Sequence, residues 1–128
     1  MTENRILVVD DETQILDMYT RVFSRAGYEV LSVLSAERAL EIMSESPCGV
    51  LFLDLNLTGM NGVDLCREIR NRYPMAIPIA VTGHASLFEL SDCRNAGFED
   101  YFTKPADLSQ LLDAAEHAFE KLVRWKAR

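Results

Sequence analysis

Four short stretches set acidic, hydroxyl or amine side chains at the ends of apolar runs. Asp10, Asp11 and Glu12 follow Val8-Val9, Asp54 follows Leu51-Phe52-Leu53, Thr82 follows Val81 and precedes Gly83, and Lys104 precedes Pro105. Two unit negative charges about 4 Å apart repel by roughly 4 kcal/mol at an effective dielectric near 20, so aspartates gathered at one point call for a cation. Carboxylate oxygens without imidazole or thiolate select Mg²⁺, or Mn²⁺ in its place, and Mg²⁺ characteristically combines one or two carboxylates with water and a phosphate oxygen. The Thr82 hydroxyl and the Lys104 ammonium suit phosphoryl oxygens. An Asp carboxylate can itself carry a phosphoryl group as an acyl phosphate, and Asp54 is the candidate nucleophile. Phosphoryl transfer needs chiefly in-line positioning and charge neutralisation, which Mg²⁺, Lys104 and Thr82 would supply.

These residues act together only if the chain brings them to one rim. Short apolar, β-branched runs at 5–9, 29–34, 50–53, 77–82 and 100–103 alternate with segments whose apolar residues recur every three or four positions, which predicts five βα units. Ile15, Met18, Tyr19, Val22 and Phe23 form the first helical stripe, and Ala36, Ala39, Leu40 and Met43 the second. Leu65 and Ile69 mark the third, Leu87, Leu90 and Cys93 the fourth, and Leu108, Leu111, Leu112, Ala115, Phe119 and Leu122 the fifth. Ser35 is the expected N-cap of the second helix, and Gly27 and Gly97 close the first and fourth. Such a chain is expected to form an α/β fold: an open, flavodoxin-like (βα)5 doubly wound parallel sheet in the order 2-1-3-4-5. Its first, third and fourth strands are apolar enough to be central. Ligands of such sheets bind beyond the carboxyl ends of the strands, where the winding reverses, here between the first and third.

The 128 residues are expected to make a single domain over 1–128, with a core at about 4–122 and a basic helix end at 121–128. A formal charge of −7 disfavours nucleic acid and anionic membranes as direct partners. No apolar run approaches a membrane span, and Met1-Thr-Glu-Asn-Arg5 carries no signal pattern, so a cytoplasmic protein is expected. Cys48, Cys66 and Cys93 are odd in number and widely spaced, and read as reduced packing residues.

The segments Ile6-Leu-Val-Val-Asp-Asp-Glu12, Leu51-Phe-Leu-Asp-Leu55, Val81-Thr-Gly83 and Tyr101-Phe-Thr-Lys-Pro105 resemble the receiver domain of two-component response regulators over nearly the whole chain. The resemblance implies that Asp54 accepts a phosphoryl group from a histidine kinase or histidine phosphotransfer protein. Asp10, Asp11, Asp54 and the backbone carbonyl of Asn56 would hold Mg²⁺, and Lys104 would pair with the phosphoryl group. Thr82 would be the switch hydroxyl and Tyr101 the aromatic switch, and the Lys104–Pro105 bond would be cis. The signal would reach an effector or output domain through the face of the fourth helix, fifth strand and fifth helix, with a homodimer as a further option. The only catalysis implied is the domain's own Mg²⁺-dependent phosphorylation and dephosphorylation, so it is not expected to be an enzyme acting on a separate substrate.

The loop after Asp54 departs from the family pattern. Thr58 stands where a proline is usual and Asn61 where an aspartate is common, which leaves loop rigidity and partner fit open. Asn56 and His84 flank the expected pocket, within reach of the water that would hydrolyse an acyl phosphate, although His84 reads more simply as a solvated start to the fourth helix. Trp125 suits either a helix leading to an output domain or a partner contact. Two alternatives stand beside the switch. A Mg²⁺-dependent phosphohydrolase with an Asp nucleophile would share the acids but usually carries Asp-x-Asp after its first strand, and a phosphorylation-independent module would keep the fold alone.

Overall fold

The computed structural model describes residues 2–83 and 87–126. The chain runs β1 (Thr2–Val9), α1 (Thr13–Arg25), β2 (Glu29–Val33), α2 (Ala36–Glu45), β3 (Cys48–Leu53), α3 (Gly62–Arg72), β4 (Ile77–Thr82), α4 (Leu87–Ala96), β5 (Asp100–Thr103) and α5 (Leu108–Lys126). All strand pairs are parallel and the order is β2-β1-β3-β4-β5. The fold is therefore the expected doubly wound sheet.

Alternation along the strands splits the core into two layers. Ile6, Val8, Val50, Phe52, Ile77, Ile79 and Val81 pack against α1 and α5, whereas Leu7, Val9, Leu51, Leu53 and Ala80 pack against α2, α3 and α4. Every residue of β3 and β4 is buried, as interior strands covered on both faces require. Local chemistry sets the helix starts: Ser35 Oγ accepts from the Arg38 N–H at 3.2 Å at the head of α2, and Asn61 Oδ1 accepts from the Asp64 N–H at 2.9 Å at the head of α3. Asn61, one of the two departures from the family loop, thus acts as a helix cap.

Three expectations need correction. β1 and β3 begin earlier than their apolar runs, since ladder pairing extends beyond the most hydrophobic residues. β2 ends at Val33, and Leu34 turns out at 50% exposure. In α1 the buried stripe is Leu16, Tyr19 and Phe23, while Met18 is 40% exposed; spacing of three and four fits either phase, and the aromatic pair fixes the one that faces the sheet. All three cysteines are free and buried.

Candidate functional site

β1 and β3 lie side by side in register, Val9 opposite Leu53, so the residues that follow them emerge together. The Asp54 N–H donates to the Val9 carbonyl at 2.9 Å, and the Asp10 N–H donates to the Val33 carbonyl at 3.2 Å. Asp10 and Asp54 are only 2% and 5% exposed, while Asp11 is exposed. Carboxylate oxygens of the three lie within 4.8 Å of one another. Backbone donors steady the two buried acids: the Glu12 N–H donates to Asp10 Oδ1 at 2.9 Å and the Asn56 N–H to Asp54 Oδ1 at 3.2 Å.

Lys104 reaches this cluster from the other side. Thr82 and Thr103 pair across β4 and β5, and the Lys104 N–H donates to the Thr82 carbonyl at 2.7 Å, so the sheet itself delivers the lysine. Its Nζ stands 2.8 Å from Asp10 Oδ2 and 3.4 Å from Asp54 Oδ2. The Lys104–Pro105 peptide bond is cis. Burial works against the ammonium, but the hydrogen bond and charge of Asp10, then Asp54 and Glu12, carry Lys104 above its usual range. Burial pushes the Asp54 carboxyl up, opposed by the Asn56 N–H, reinforced by the charge of Asp10 and opposed again by Lys104. Three carboxylates against one ammonium leave the cluster short of positive charge, and its all-oxygen donor set fits Mg²⁺.

Thr82 is fully buried at the end of β4, and its Oγ1 accepts from the side-chain amide of Asn56 at 3.2 Å. Tyr101 stands apart from this group: it pairs with Ala80, two rungs back along the β4–β5 ladder from Thr82. It is half-buried against the α2–α3–α4 layer, and its hydroxyl oxygen is buried without a hydrogen-bond partner among the described residues. Burial, then Cys93 and Glu89, raises the pKa of its phenol. His84 lies outside the described residues.

Sequence reasoning missed two residues that shape the site. A Cβ on Gly62 would come within 2.2 Å of the Asp54 carbonyl oxygen and 2.8 Å of Leu55 Cα, so α3 starts hard against the acceptor strand. The loop-closing glycine was visible in the sequence, but its close approach to Asp54 was not. Tyr19, assigned only to the core, also feels the site: burial raises its pKa, with Lys104 lowering it and Asp10 and Asp54 raising it further.

Comparison with known proteins gives a consistent picture. Residues 6–116 match the response regulator receiver domain family. The chain is 35% identical over 107 residues to the uncharacterized transcriptional regulatory protein YrkP of Bacillus subtilis, covering 84% of this chain and 46% of that protein. It is 34% identical over 118 residues to the alginate biosynthesis transcriptional regulatory protein AlgB of Pseudomonas aeruginosa, covering 92% of this chain and 26% of that protein. It therefore spans less than half the length of these curated relatives. Among solved structures, a CheY-like response regulator receiver domain protein from Methanospirillum hungatei superposes with a TM-score of 0.91 at 30% identity, covering 94% of this chain and 97% of that one.

Proposed function

The chain belongs to the response regulator receiver domain family, whose members serve phosphorylation-based signalling, and from that premise we propose that Asp54 is its phosphoacceptor. The observation that carries this is the arrangement around Asp54: a buried carboxylate with Lys104 Nζ at 3.4 Å and the carboxylates of Asp10 and Asp11 close by. The donor is a phosphohistidine of a histidine kinase or phosphotransfer protein. An oxygen of Asp54 attacks phosphorus, the new O–P bond forms as the P–N bond breaks, and the imidazole leaves with the electron pair and takes a proton from solvent. Hydrolysis reverses the state: water attacks phosphorus, the acyl O–P bond breaks, and the Asp54 carboxylate is regenerated with release of inorganic phosphate.

Asp10, Asp11, Asp54 and the backbone carbonyl of Asn56 would hold Mg²⁺, which when bound neutralises charge on the transferring oxygens. Lys104 orients and neutralises the phosphoryl group from the β5 side. Asp10 keeps the ammonium in place beforehand through its 2.8 Å contact. The Thr82 hydroxyl binds the phosphoryl group and biases the position of Tyr101, and so the face of α4, β5 and α5. A charge-assisted hydrogen bond is worth roughly 1.5–3 kcal/mol, whereas driving a two-state equilibrium from 1:99 to 99:1 takes about 5.5 kcal/mol, so Lys104 and the loop after β3 share the bias with Thr82.

The effector or output domain is proposed to engage the α4–β5–α5 face. The relatives' names make transcriptional control a natural output, with the DNA contacts made outside this acidic domain. The exchange is proposed to run in the cytoplasm, in keeping with three free, buried thiols and with the absence of any described helix long and apolar enough to cross a membrane. Binding of beryllofluoride with Mg²⁺, followed by backbone NMR, tests the switch. Amide shifts should spread from Asp54 to Thr82, Lys104 and Tyr101, and Thr82→Ala should cut off the change at Tyr101; an unchanged response at Tyr101 in Thr82→Ala would contradict the lever.

A further inference from the structure

We infer that Glu37, at the start of α2, is a positioning residue for the acceptor site, its carboxylate fixing the loop between β3 and α3 that presents Asn56 to Asp54 and Thr82. The inference rests on the phosphoacceptor role proposed for Asp54. Glu37 Oε1 accepts a hydrogen bond from the Met60 N–H at 3.3 Å, across 23 residues of sequence. Gly59 lies directly before that amide with φ +84, and a Cβ on it would come within 3.1 Å of the same oxygen. The loop can bring its peptide onto this carboxylate because residue 59 has no side chain and tolerates positive φ.

Charge favours the contact as well. Glu37 lies in the first turn of α2, and Met60 sits two residues before α3 begins at Gly62, so the carboxylate stands close to the positive ends of two helices.

Within the loop, Leu55 and Leu57 are buried, the Gly62 N–H donates to the Leu55 carbonyl at 3.1 Å, and Asn61 caps α3. Thr58 is exposed and has no ring to fix its φ, so the stretch from Thr58 to Met60 gains its restraint from α2. Three residues upstream of Gly59, Asn56 uses its backbone N–H on Asp54 and its side-chain amide on Thr82. Its carbonyl is the backbone oxygen proposed for Mg²⁺. A loop released at Met60 therefore loosens the Mg²⁺ site while Asp54 itself stays fixed to β1 through the Val9 carbonyl.

The test is modification of Asp54 by acetyl phosphate, read by intact mass across a Mg²⁺ titration. Wild type, Glu37→Ala, Glu37→Gln and Gly59→Ala are compared, with the thermal midpoint and Met60 amide exchange recorded for each. Glu37→Ala should raise the half-maximal Mg²⁺ concentration about two- to tenfold, the range one net hydrogen bond carries, and speed Met60 exchange. The rate at saturating Mg²⁺ should stay close to wild type. Glu37→Gln keeps the Oε1 acceptor and should return the midpoint toward wild type, whereas Gly59→Ala should raise it. An unchanged Mg²⁺ midpoint in both Glu37→Ala and Gly59→Ala, or a Glu37→Gln variant as impaired as Glu37→Ala, overturns the inference. A wild-type protein unmodified at any Mg²⁺ concentration overturns the acceptor role of Asp54 instead.

Discussion

Lys104 Nζ rests 2.8 Å from Asp10 Oδ2, so the lysine proposed to meet the phosphoryl group is held in the resting protein by an acid that is not the acceptor. Asp10 thereby stores the ammonium beside Asp54, whose Oδ2 shares it at 3.4 Å. The same contact makes the lysine a stabilising element, because two nearly buried carboxylates lean on one cation.

Lys104→Met should lower the unfolding free energy of the metal-free protein at pH 7 by about 1–3 kcal/mol, since it leaves buried carboxylates without their partner. Urea unfolding measures this, and saturating Mg²⁺ should recover part of the loss. A variant as stable as wild type without metal would mean that the carboxylates are neutralised some other way.

Asp54 titrates above its unfolded value of 3.8, chiefly because of burial. A raised folded value means that proton binding favours the folded state. The contribution is fully present below about 3.8 and lost as pH rises through the folded value. At pH 7 the ionised Asp54 therefore works against folding, and Asp54→Asn should raise the thermal midpoint of the metal-free protein by a few degrees. Carbon NMR should find the Asp54 midpoint above 3.8, moved further up by Lys104→Met and down by Asp10→Asn. An Asp54→Asn midpoint below that of wild type contradicts this account of the acid.

Gly62→Ala should be disruptive, because its Cβ would meet backbone at 2.2 Å from the Asp54 carbonyl and 2.8 Å from Leu55 Cα. Neither neighbour can rotate away, so about 1–3 kcal/mol of stability should be lost and Asp54 modification should slow. Calorimetry with a phosphorylation time course checks both, and a variant with unchanged stability and rate would show that α3 can slide outward without consequence.

The strand ends were the most legible part of the molecule. Asp10, Asp54, Thr82 and Lys104 each follow or close a short apolar run, and a doubly wound sheet carries such positions to one rim, so chemistry and topology pointed to the same place. Contacts between segments far apart in sequence were not legible. Nothing in the pattern around Glu37 tells that its carboxylate reaches Met60, and nothing in Arg70 tells that its guanidinium bonds the carbonyls of Gly97 and Ala76 as well as Glu99. The exposure of Met18 was hidden for a simpler reason: hydrophobicity alone does not set the phase of a helix carrying Ile15, Leu16, Met18, Tyr19, Val22 and Phe23.

Away from the site, Glu99 joins α3 to α5 through Arg70 at 3.1 Å and Lys121 at 2.8 Å. The hydrogen bond from Lys121 holds its carboxyl below the usual value of 4.5, against burial and with help from Arg70. This stabilisation is present above about 4.5 and is lost as pH falls through the lowered folded value. Glu99→Gln should therefore destabilise the protein at neutral pH by up to about 1 kcal/mol and flatten its acid-unfolding limb, as measured by urea midpoints from pH 7 to pH 3. Parallel curves for variant and wild type would show that the pair contributes nothing to folding.

Intact-mass spectrometry after incubation with acetyl phosphate and Mg²⁺ tests the central claim most directly, with Asp54→Ala and EDTA-treated protein measured alongside. A single phosphate-sized mass increase that disappears in both controls is the expected result and would identify the nucleophile and the metal requirement together. A protein that stays unmodified, or one modified equally well with Ala at position 54, would contradict it.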